Sequence, residues 1–495
     1  MISLKDVTIL TGIVDEERIS TEKSELFCYS RDLGNSIPDE LLKAYGMLGP
    51  DVVILPENTE EISAILSYAY ENDIPVTTRG GGSWALGGAL PMDGGIVIDM
   101  GKLNEIKTVN KGDGYVTVGA GLTWKRLMDN LVSHGLMVGA HPSSSVSATI
   151  GGFLATGGGA GTGVPQYGTV GDQVLSLTVV RADGNVIRTD PWSSWLFVGS
   201  EGTLGIITEA TLKVFTLQKL QHYLFYFDSI ESGTDVLQKL SEIRPYQLSF
   251  LDRGFLYLLN QAGEHCLVKE LAVAVSISGS PEELKLKSEK IEKICAAGQQ
   301  QPDYVARDEY ENRFRIGLVF KCLGPSLFVQ EIRVPLRFIG KVVKDISTLL
   351  KGYTWGIESL GSDTGSIVLS VMILGDEREE IEYLRTFSLS ANFGALAAKY
   401  CGTVYGIGLH NAVAMRGIHH EGLDRMREMR LTLDKRNILN SGKTTYPRIP
   451  VLFVAMFMFM MKTVPFLVRF MLDTMKYVPI GLLRFGLSIV GGKIK

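Results

Sequence analysis

The chain changes hydrophobic period along its length, and the changes mark out its elements. Over residues 60–71 the apolar Ile62, Ile65, Leu66 and Ala69 recur at three- and four-residue steps, which places them on one face of a helix. Residues 75–78, 95–99 and 115–119 are short, β-branched runs that read as strands. A second helical pattern covers 123–134, with Thr123 as its N-cap. The apolar run 174–180 reads as a strand that ends in Arg181-Ala-Asp-Gly-Asn185, a hairpin turn. Residues 1–50 carry helical spacing followed by a loop. From about Leu217 the pattern becomes β-α-β: strand 223–227, helix 233–243, strand 271–277 and a charged helix over 281–297. Another such unit spans 328–350, with a strand over 365–374, and residues 379–447 read as helical. These elements predict an α+β protein with two main domains.

Glycine is concentrated where strands end. Strand 75–78 runs through Arg79 into Gly80, Gly81 and Gly82, followed by Ser83. A residue without a Cβ tolerates positive φ, so such a run can turn several N–H groups toward one side and form an anion nest. Thr149-Ile-Gly-Gly152, the run Gly157–Gly163 and Gly199-Ser-Glu-Gly-Thr-Leu-Gly-Ile-Ile207 follow in order. No G-x-G-x-x-G follows a strand, which argues against a nicotinamide Rossmann domain. Gly442-Lys-Thr444 imitates the end of a P-loop, but Asn437 stands where its first glycine belongs and no strand precedes it.

Taken together, these motifs resemble the vanillyl-alcohol oxidase (PCMH-type) superfamily of FAD-binding oxidoreductases, nearest its D-lactate dehydrogenase/glycolate oxidase branch. Tyr29-Ser-Arg-Asp32 is similar to the lead-in of that flavin domain, and Asn437-Ile-Leu-Asn-Ser-Gly-Lys443 to its N-x-L-N-P-G-K segment. The resemblance implies a two-subdomain FAD-binding domain over 1–217 and a ferredoxin-like α+β cap over 218–395. A helical segment, 396–447, then returns to the flavin domain. It also implies that Gly80, Gly81, Gly82 and Ser83 hold the pyrophosphate of FAD. Pro142, Ser145, Thr149, Gly152 and Thr156 then line the ring and ribityl side, with Gly202, Ile206 and Ile207 against the adenine half. Members with a covalent flavin often carry a histidine near the end of the glycine loop. Ser83 and its neighbours offer none, so non-covalent FAD is expected.

On the substrate side the sequence departs from the branch. Members acting on D-2-hydroxy acids hold a divalent metal with a G-H-x-G-D-G-N-x-H segment, and carry G-E-H-G-I-G near the C-terminus. Here no histidine lies between His265 and His410, and Gly402-Thr-Val-Tyr-Gly-Ile-Gly-Leu-His-Asn411 lacks the Glu-His pair. The expectation is no metal of that kind. Oxidising an alcohol still requires a base for its O–H proton. The candidates are His410, then Tyr405, then His141 beside Pro142, each also readable as a packing residue. His419 and His420 read as solvated. By resemblance, Arg313 and Arg315 are candidates to pair with a substrate carboxylate through a bidentate contact, Arg315 being the one favoured.

The chain has 495 residues, enough for two or three domains, and a net charge of −5 without basic clusters in its body, so nucleic acid is not expected. Five scattered cysteines without C-x-x-C spacing suggest a reducing compartment, and no signal-peptide pattern opens the sequence. The last stretch is different in kind. Residues 449–461 are uncharged and apolar, too short to span a bilayer at ~20 residues. Beyond them Lys462, Arg469, Asp473, Lys476 and Arg484 fall within about 40° of one line on a helix. A basic stripe on an apolar body, over 449–491, reads as a membrane-surface contact, and burial against another subunit is the competing reading. The protein is therefore expected to be cytoplasmic and peripherally attached to the membrane.

Three functions fit this sequence. The first is an FAD-dependent dehydrogenase that oxidises a D-2-hydroxy acid and passes electrons to a quinone or protein acceptor. The second is a membrane-associated flavoenzyme acting on a lipid or isoprenoid substrate. The third is a flavin-binding electron-transfer subunit.

Overall fold

The computed structural model describes residues 2–34, 49–324, 326–362, 365–376 and 378–447. The amphipathic tail read from the sequence over 449–491 lies outside the described residues.

The first two sheets build one half of the molecule. Ile19–Ser20, Val52–Ile54, Ile96–Asp99 and Val76–Arg79 form a four-stranded sheet in that order, parallel except at the Ile19–Ser20 edge. The helix Thr59–Glu71 buries Ile62, Ile65, Leu66 and Ala69, the face its spacing predicts, and Asn58 caps it by accepting from the Glu61 N–H. The second sheet has six antiparallel strands centred on Ile206–Thr216, which pairs with Tyr115–Gly119, Val174–Val180 and Leu136–Val138. Thr123 caps the helix Trp124–Ser133, as expected. Both sheets share one apolar core, which includes Val76, Ile98, Val118, Leu127, Leu177 and Ile206.

The other half is a single eight-stranded antiparallel sheet built from two copies of one plan. Lys219–Phe227, Gln247–Asp252, Leu271–Gly279 and Gln299–Gln300 lie in the order fourth, first, third, second, with helices Ile230–Glu242 and Pro281–Ile294 as crossovers. Ser326–Pro335, Thr354–Gly361, Ser366–Gly375 and Thr403–Val404 repeat that order in mirror sequence, with helices Ile339–Leu349 and Glu380–Lys399. Each copy is ferredoxin-like, so the expected cap motif occurs twice. The two copies meet where Leu251 is paired with Glu358. The four crossover helices bury one sheet face, around Leu237, Ile291, Ile346 and Phe393. Arg253–Gln261 and Asp303–Val319 cover part of the opposite face, around Leu256, Leu259 and Ala306. Periodicity alone does not single out the second of these, Asp303–Val319, which is charged almost all round.

The chain then crosses back. Ile438 and Leu439 belong to the core of the first half, and Leu439 bridges Val76 in parallel. The Val76 N–H donates to Ile438 O and the Asn440 N–H to Val76 O.

Candidate active site

A cavity runs between the two halves, and its two walls are made differently. The wall on the first half is largely backbone. Gly80, Gly81, Gly82 and Ser83 line it, together with Thr149, Gly151 and Gly152. These two loops pack so closely that a Cβ on Gly81 would run into the carbonyl oxygen of Ser147. Thr149 caps the short helix Ile150–Ala155, accepting from the Gly152 N–H at 3.2 Å. Among the described residues the backbone N–H groups of Gly80 to Ser83 find no acceptor in the chain, which leaves donors for an anionic group at the cavity.

Further along the same wall lie Pro142, Thr156, Gly202, Ile206 and Ile207. Of the residues expected to contact the flavin, Ser145 alone does not line the cavity; its neighbours Ser143 and Ser144 do, while the Ser145 carbonyl is taken by the Lys125 N–H. No histidine or cysteine is among the described lining residues. The fit to FAD is therefore good on three observations: backbone donors without partners, small residues where a flat ring must pass, and apolar Ile206 and Ile207 beyond.

The returning segment locks this wall. Lys443 is buried and donates to Gly88 O at 2.8 Å and Leu90 O at 2.5 Å. Burial pushes its ammonium down to about 7, despite the nearby Glu201 and Asp32 carboxylates. Asn440 lines the cavity and donates to the Glu201 carbonyl at 2.6 Å. The Glu201 carboxylate accepts from the N–H groups of Ile407 and Gly408 at 2.9–3.0 Å. The lysine that mimics a P-loop residue is thus a tether between chain segments. Asp32, also lining the cavity, is pushed up to about 6 by burial, and its Oδ2 has no hydrogen-bond partner among the described residues.

The opposite wall is made of side chains on the cap sheet. Leu327, Val329 and Glu331 alternate along one strand and therefore share a face. Ser370 and Met372 lie on the next strand, and Glu358 and Leu360 on the one beyond. Registry puts Glu331, Ser370 and Glu358 in one row across the sheet. Trp84, from the end of the glycine loop, reaches across and donates its indole N–H to Glu331 at 3.1 Å. Its ring lies on Gly406, where any Cβ would collide with it and φ is +73°. Ser370 donates to the second Glu331 oxygen at 3.2 Å. Burial pushes the Glu331 carboxyl up to about 7, against these two hydrogen bonds and with a smaller push from Glu358.

The sequence candidates separate sharply in space. Tyr405 lines the cavity; its hydroxyl accepts from the Ala160 N–H at 3.2 Å, and its ring faces the Arg333 guanidinium at 5.8 Å. Burial holds the Tyr405 phenol protonated, and the Glu331 charge adds to the effect. His410 is not on the cavity. It is 4% exposed, packs edge-on against Phe387, and burial lowers its imidazole to about 4. That corrects the expectation of His410 as a base in contact with substrate. His141 is buried with Nδ1 3.1 Å from the Pro142 carbonyl.

Arg315 is likewise displaced from its expected role. It lies on the outer side of its helix, 55% exposed at the side chain, and pairs with Glu264 at 2.7 Å. Arg313, two residues earlier, does line the cavity. Its guanidinium is fully engaged: Nε with Glu358 at 2.9 Å, one terminal nitrogen with Glu309 and Ser249, the other with the Ser359 carbonyl. Among the described residues no group of three or more histidines, cysteines or carboxylates is arranged to hold a metal.

Glu331, Trp84 and Glu358 are the residues that sequence reasoning missed. One signal was available: Phe328-Val-Gln-Glu-Ile-Arg-Val is an apolar strand broken by charge at alternate positions, Glu331 and Arg333.

Comparison with known proteins agrees with this geometry. Residues 50–190 match the family model described as FAD binding domain, and 217–444 the one described as FAD linked oxidases, C-terminal domain. The chain is 30% identical over 419 residues to the glycolate oxidase subunit GlcD of Bacillus subtilis, covering 80% of this chain and 88% of that one. It is 30% identical over 415 residues to D-lactate dehydrogenase of Archaeoglobus fulgidus, covering 79% and 90%. Among solved structures, p-cresol methylhydroxylase with substrate bound superimposes at a TM-score of 0.75 with 14% identity, covering 89% of this chain and 96% of that one. Alkyldihydroxyacetonephosphate synthase superimposes at 0.70 with 19% identity, covering 89% and 85%; these two show the shared fold. The glycine-lined wall, the doubled cap and this similarity together place the chain in the family of FAD-linked oxidases and dehydrogenases, as an FAD-dependent oxidoreductase related to D-lactate dehydrogenase and glycolate oxidase.

Proposed function

We propose that the protein oxidises the CH–OH group of a small molecule whose reacting carbon sits between the glycine-lined wall and the cap sheet. FAD, when bound, supplies the acceptor for the two electrons. Gly80 to Ser83 hold its pyrophosphate, Pro142, Thr149, Gly152 and Thr156 flank its ring and ribityl chain, and Gly202, Ile206 and Ile207 its adenine half. The chain's own contribution is to exclude water with Leu327, Val329, Leu360 and Met372 and to present polar groups at the reacting carbon.

One observation carries the substrate class. Arg313, placed on the cavity, is bound to Glu309 and Glu358, so the cap wall presents carboxylates and apolar side chains instead of an open guanidinium fork. Such a wall favours an uncharged alcohol with an apolar part over an anion. The D-2-hydroxy acid reading keeps its own support: two relatives are named for lactate and glycolate chemistry, and Lys321 stands on the lining. Anaerobic mixing of the yellow enzyme with uncharged alcohols and with D-lactate and glycolate decides between them. Bleaching by the alcohols is the expected result; bleaching by the hydroxy acids alone overturns the substrate class.

Electrons then pass to a quinone or protein acceptor at a membrane surface, a reading supported by the sequence of 449–491. Among the described residues no helix is long and apolar enough to cross a membrane. Removing 449–491 is expected to abolish binding to anionic vesicles while the flavin stays bound.

A further inference from the structure

Three features of the chain have no part in the flavin cradle: the Glu331–Ser370–Glu358 row, the buried Arg313 cluster, and the exposed Trp192 with its half-exposed neighbours Trp195 and Leu196. The first of these faces the cavity with a group that can move a proton.

We propose that Glu331 is the catalytic base that takes the hydroxyl proton of the substrate, with Trp84 and Ser370 as its positioning residues. This rests on the alcohol-oxidising reading above. The geometry supports it in four ways. Glu331 is 8% exposed yet lines the cavity, so it is shielded from bulk water but open to a ligand. Each carboxylate oxygen accepts one hydrogen bond, from Trp84 at 3.1 Å and Ser370 at 3.2 Å, which fixes the plane of the group and leaves further lone pairs for a donor. Trp84 belongs to the loop that begins as the glycine nest, so the same loop that cradles the cofactor aims the carboxylate. The Glu331 backbone carbonyl accepts from the Tyr405 N–H at 2.9 Å, which brings the phenol and the carboxylate to one end of the cavity.

Among the described residues no cation pairs with Glu331. Glu358 lies across Ser370 and is paired with Arg313 from the helix Asp303–Val319, which it shares with Glu309. Arg333, two residues along the strand, donates to Gly159 O and faces the Tyr405 ring. Lys321, on the lining, donates to Leu33 O. A carboxylate poised this way has a proton affinity suited to general-base work near neutral pH. The step balances: the substrate O–H breaks and its proton passes to a Glu331 oxygen. The carbon's hydrogen leaves with its electron pair to oxidised FAD, and a carbonyl product forms.

The test uses the full-length holoenzyme and four variants. In the parent, flavin reduction by an alcohol should rise with pH up to about 7 and then level off, because the base is the deprotonated form. Glu331→Gln should slow reduction by about 10²–10⁴-fold, while the affinity for the carbonyl product, read from the flavin spectrum, changes less than about threefold. Formate should restore part of the rate to Glu331→Ala. Ser370→Ala and Trp84→Phe should each move the pH midpoint upward, since each removes a hydrogen bond that favours the carboxylate. A readout independent of turnover is the tryptophan fluorescence lost in Trp84→Phe. It should titrate near pH 7 in the parent and stay flat in Glu331→Gln. A Glu331→Gln enzyme that is reduced at the parental rate, or that keeps the pH profile and the fluorescence transition, overturns the assignment and leaves the alcohol reading standing. A parent enzyme whose flavin bleaches with dithionite but with no alcohol overturns the alcohol reading, and the base with it.

Discussion

The two walls of the cavity solve opposite problems. The flavin-side wall must bring backbone against a flat, charged cofactor, so it is made of residues defined by what they lack: Gly80, Gly81, Gly82, Gly152 and Gly202. The cap-side wall, proposed above to recognise and act on a substrate, is made of side chains, Leu327, Val329, Glu331, Glu358 and Met372, delivered by three strands in register. The first wall fails when something is added and the second when something is removed. That difference can be tested from both sides.

The largest effect is expected from Gly81→Val. A Cβ there meets the Ser147 carbonyl, backbone against backbone, with no flexible end to yield. The protein should be isolated without yellow colour, and full flavin occupancy in this variant would break the account of the wall. On the cap side, Arg313→Met leaves Glu309 and Glu358 buried without their cation. Removing one partner of a buried pair costs about 3–5 kcal/mol, read as a lowered denaturation midpoint. Arg315→Ala, two residues away on the same helix, removes an exposed pair and should cost under ~1 kcal/mol. Equal effects at the two arginines would refute the placement of the helix.

Glu331→Gln makes a prediction of opposite sign. The folded carboxyl, raised to about 7, binds a proton that the unfolded chain releases near 4.3. Stability from this group is therefore present at pH 4 and lost as pH rises through about 7. The glutamine variant should be more stable than the parent at pH 8 by roughly 2–3 kcal/mol, with little gain at pH 4.5. Thermal melts at the two pH values read the difference. The smallest change is Tyr405→Phe, which removes the acceptor for the Ala160 N–H and should cost ~1 kcal/mol in stability, with flavin still bound.

The same contrast explains what could be read from sequence. Helices Thr59–Glu71 and Trp124–Ser133 announce themselves through local period and caps, because each satisfies most of its own hydrogen bonds and buries one stripe, and strand Val174–Val180 through its β-branched run and the turn that follows it. The glycine loops are equally legible, since only glycine serves there and its spacing survives in the linear order. Along the helix Asp303–Val319 the legibility ends. Arg313 and Arg315 look equivalent in Asn-Arg-Phe-Arg, and a rotation of two residues sends one to a buried cluster and the other to solvent. His410 is attractive in the sequence because it closes a glycine-rich run, but its ring is buried edge-on against Phe387.

By itself, then, the sequence determined the order of the glycine loops, the α+β class and the family, because those depend on local backbone freedom and on motifs met in order. The tertiary structure alone decided which side chains face the cavity. Glu331 and Glu358 are 27 residues apart in the chain, and Trp84 is 247 from Glu331. They converge because strand registry counts residues across a sheet, and the glycine at position 406 lets an indole pass from one domain onto the other.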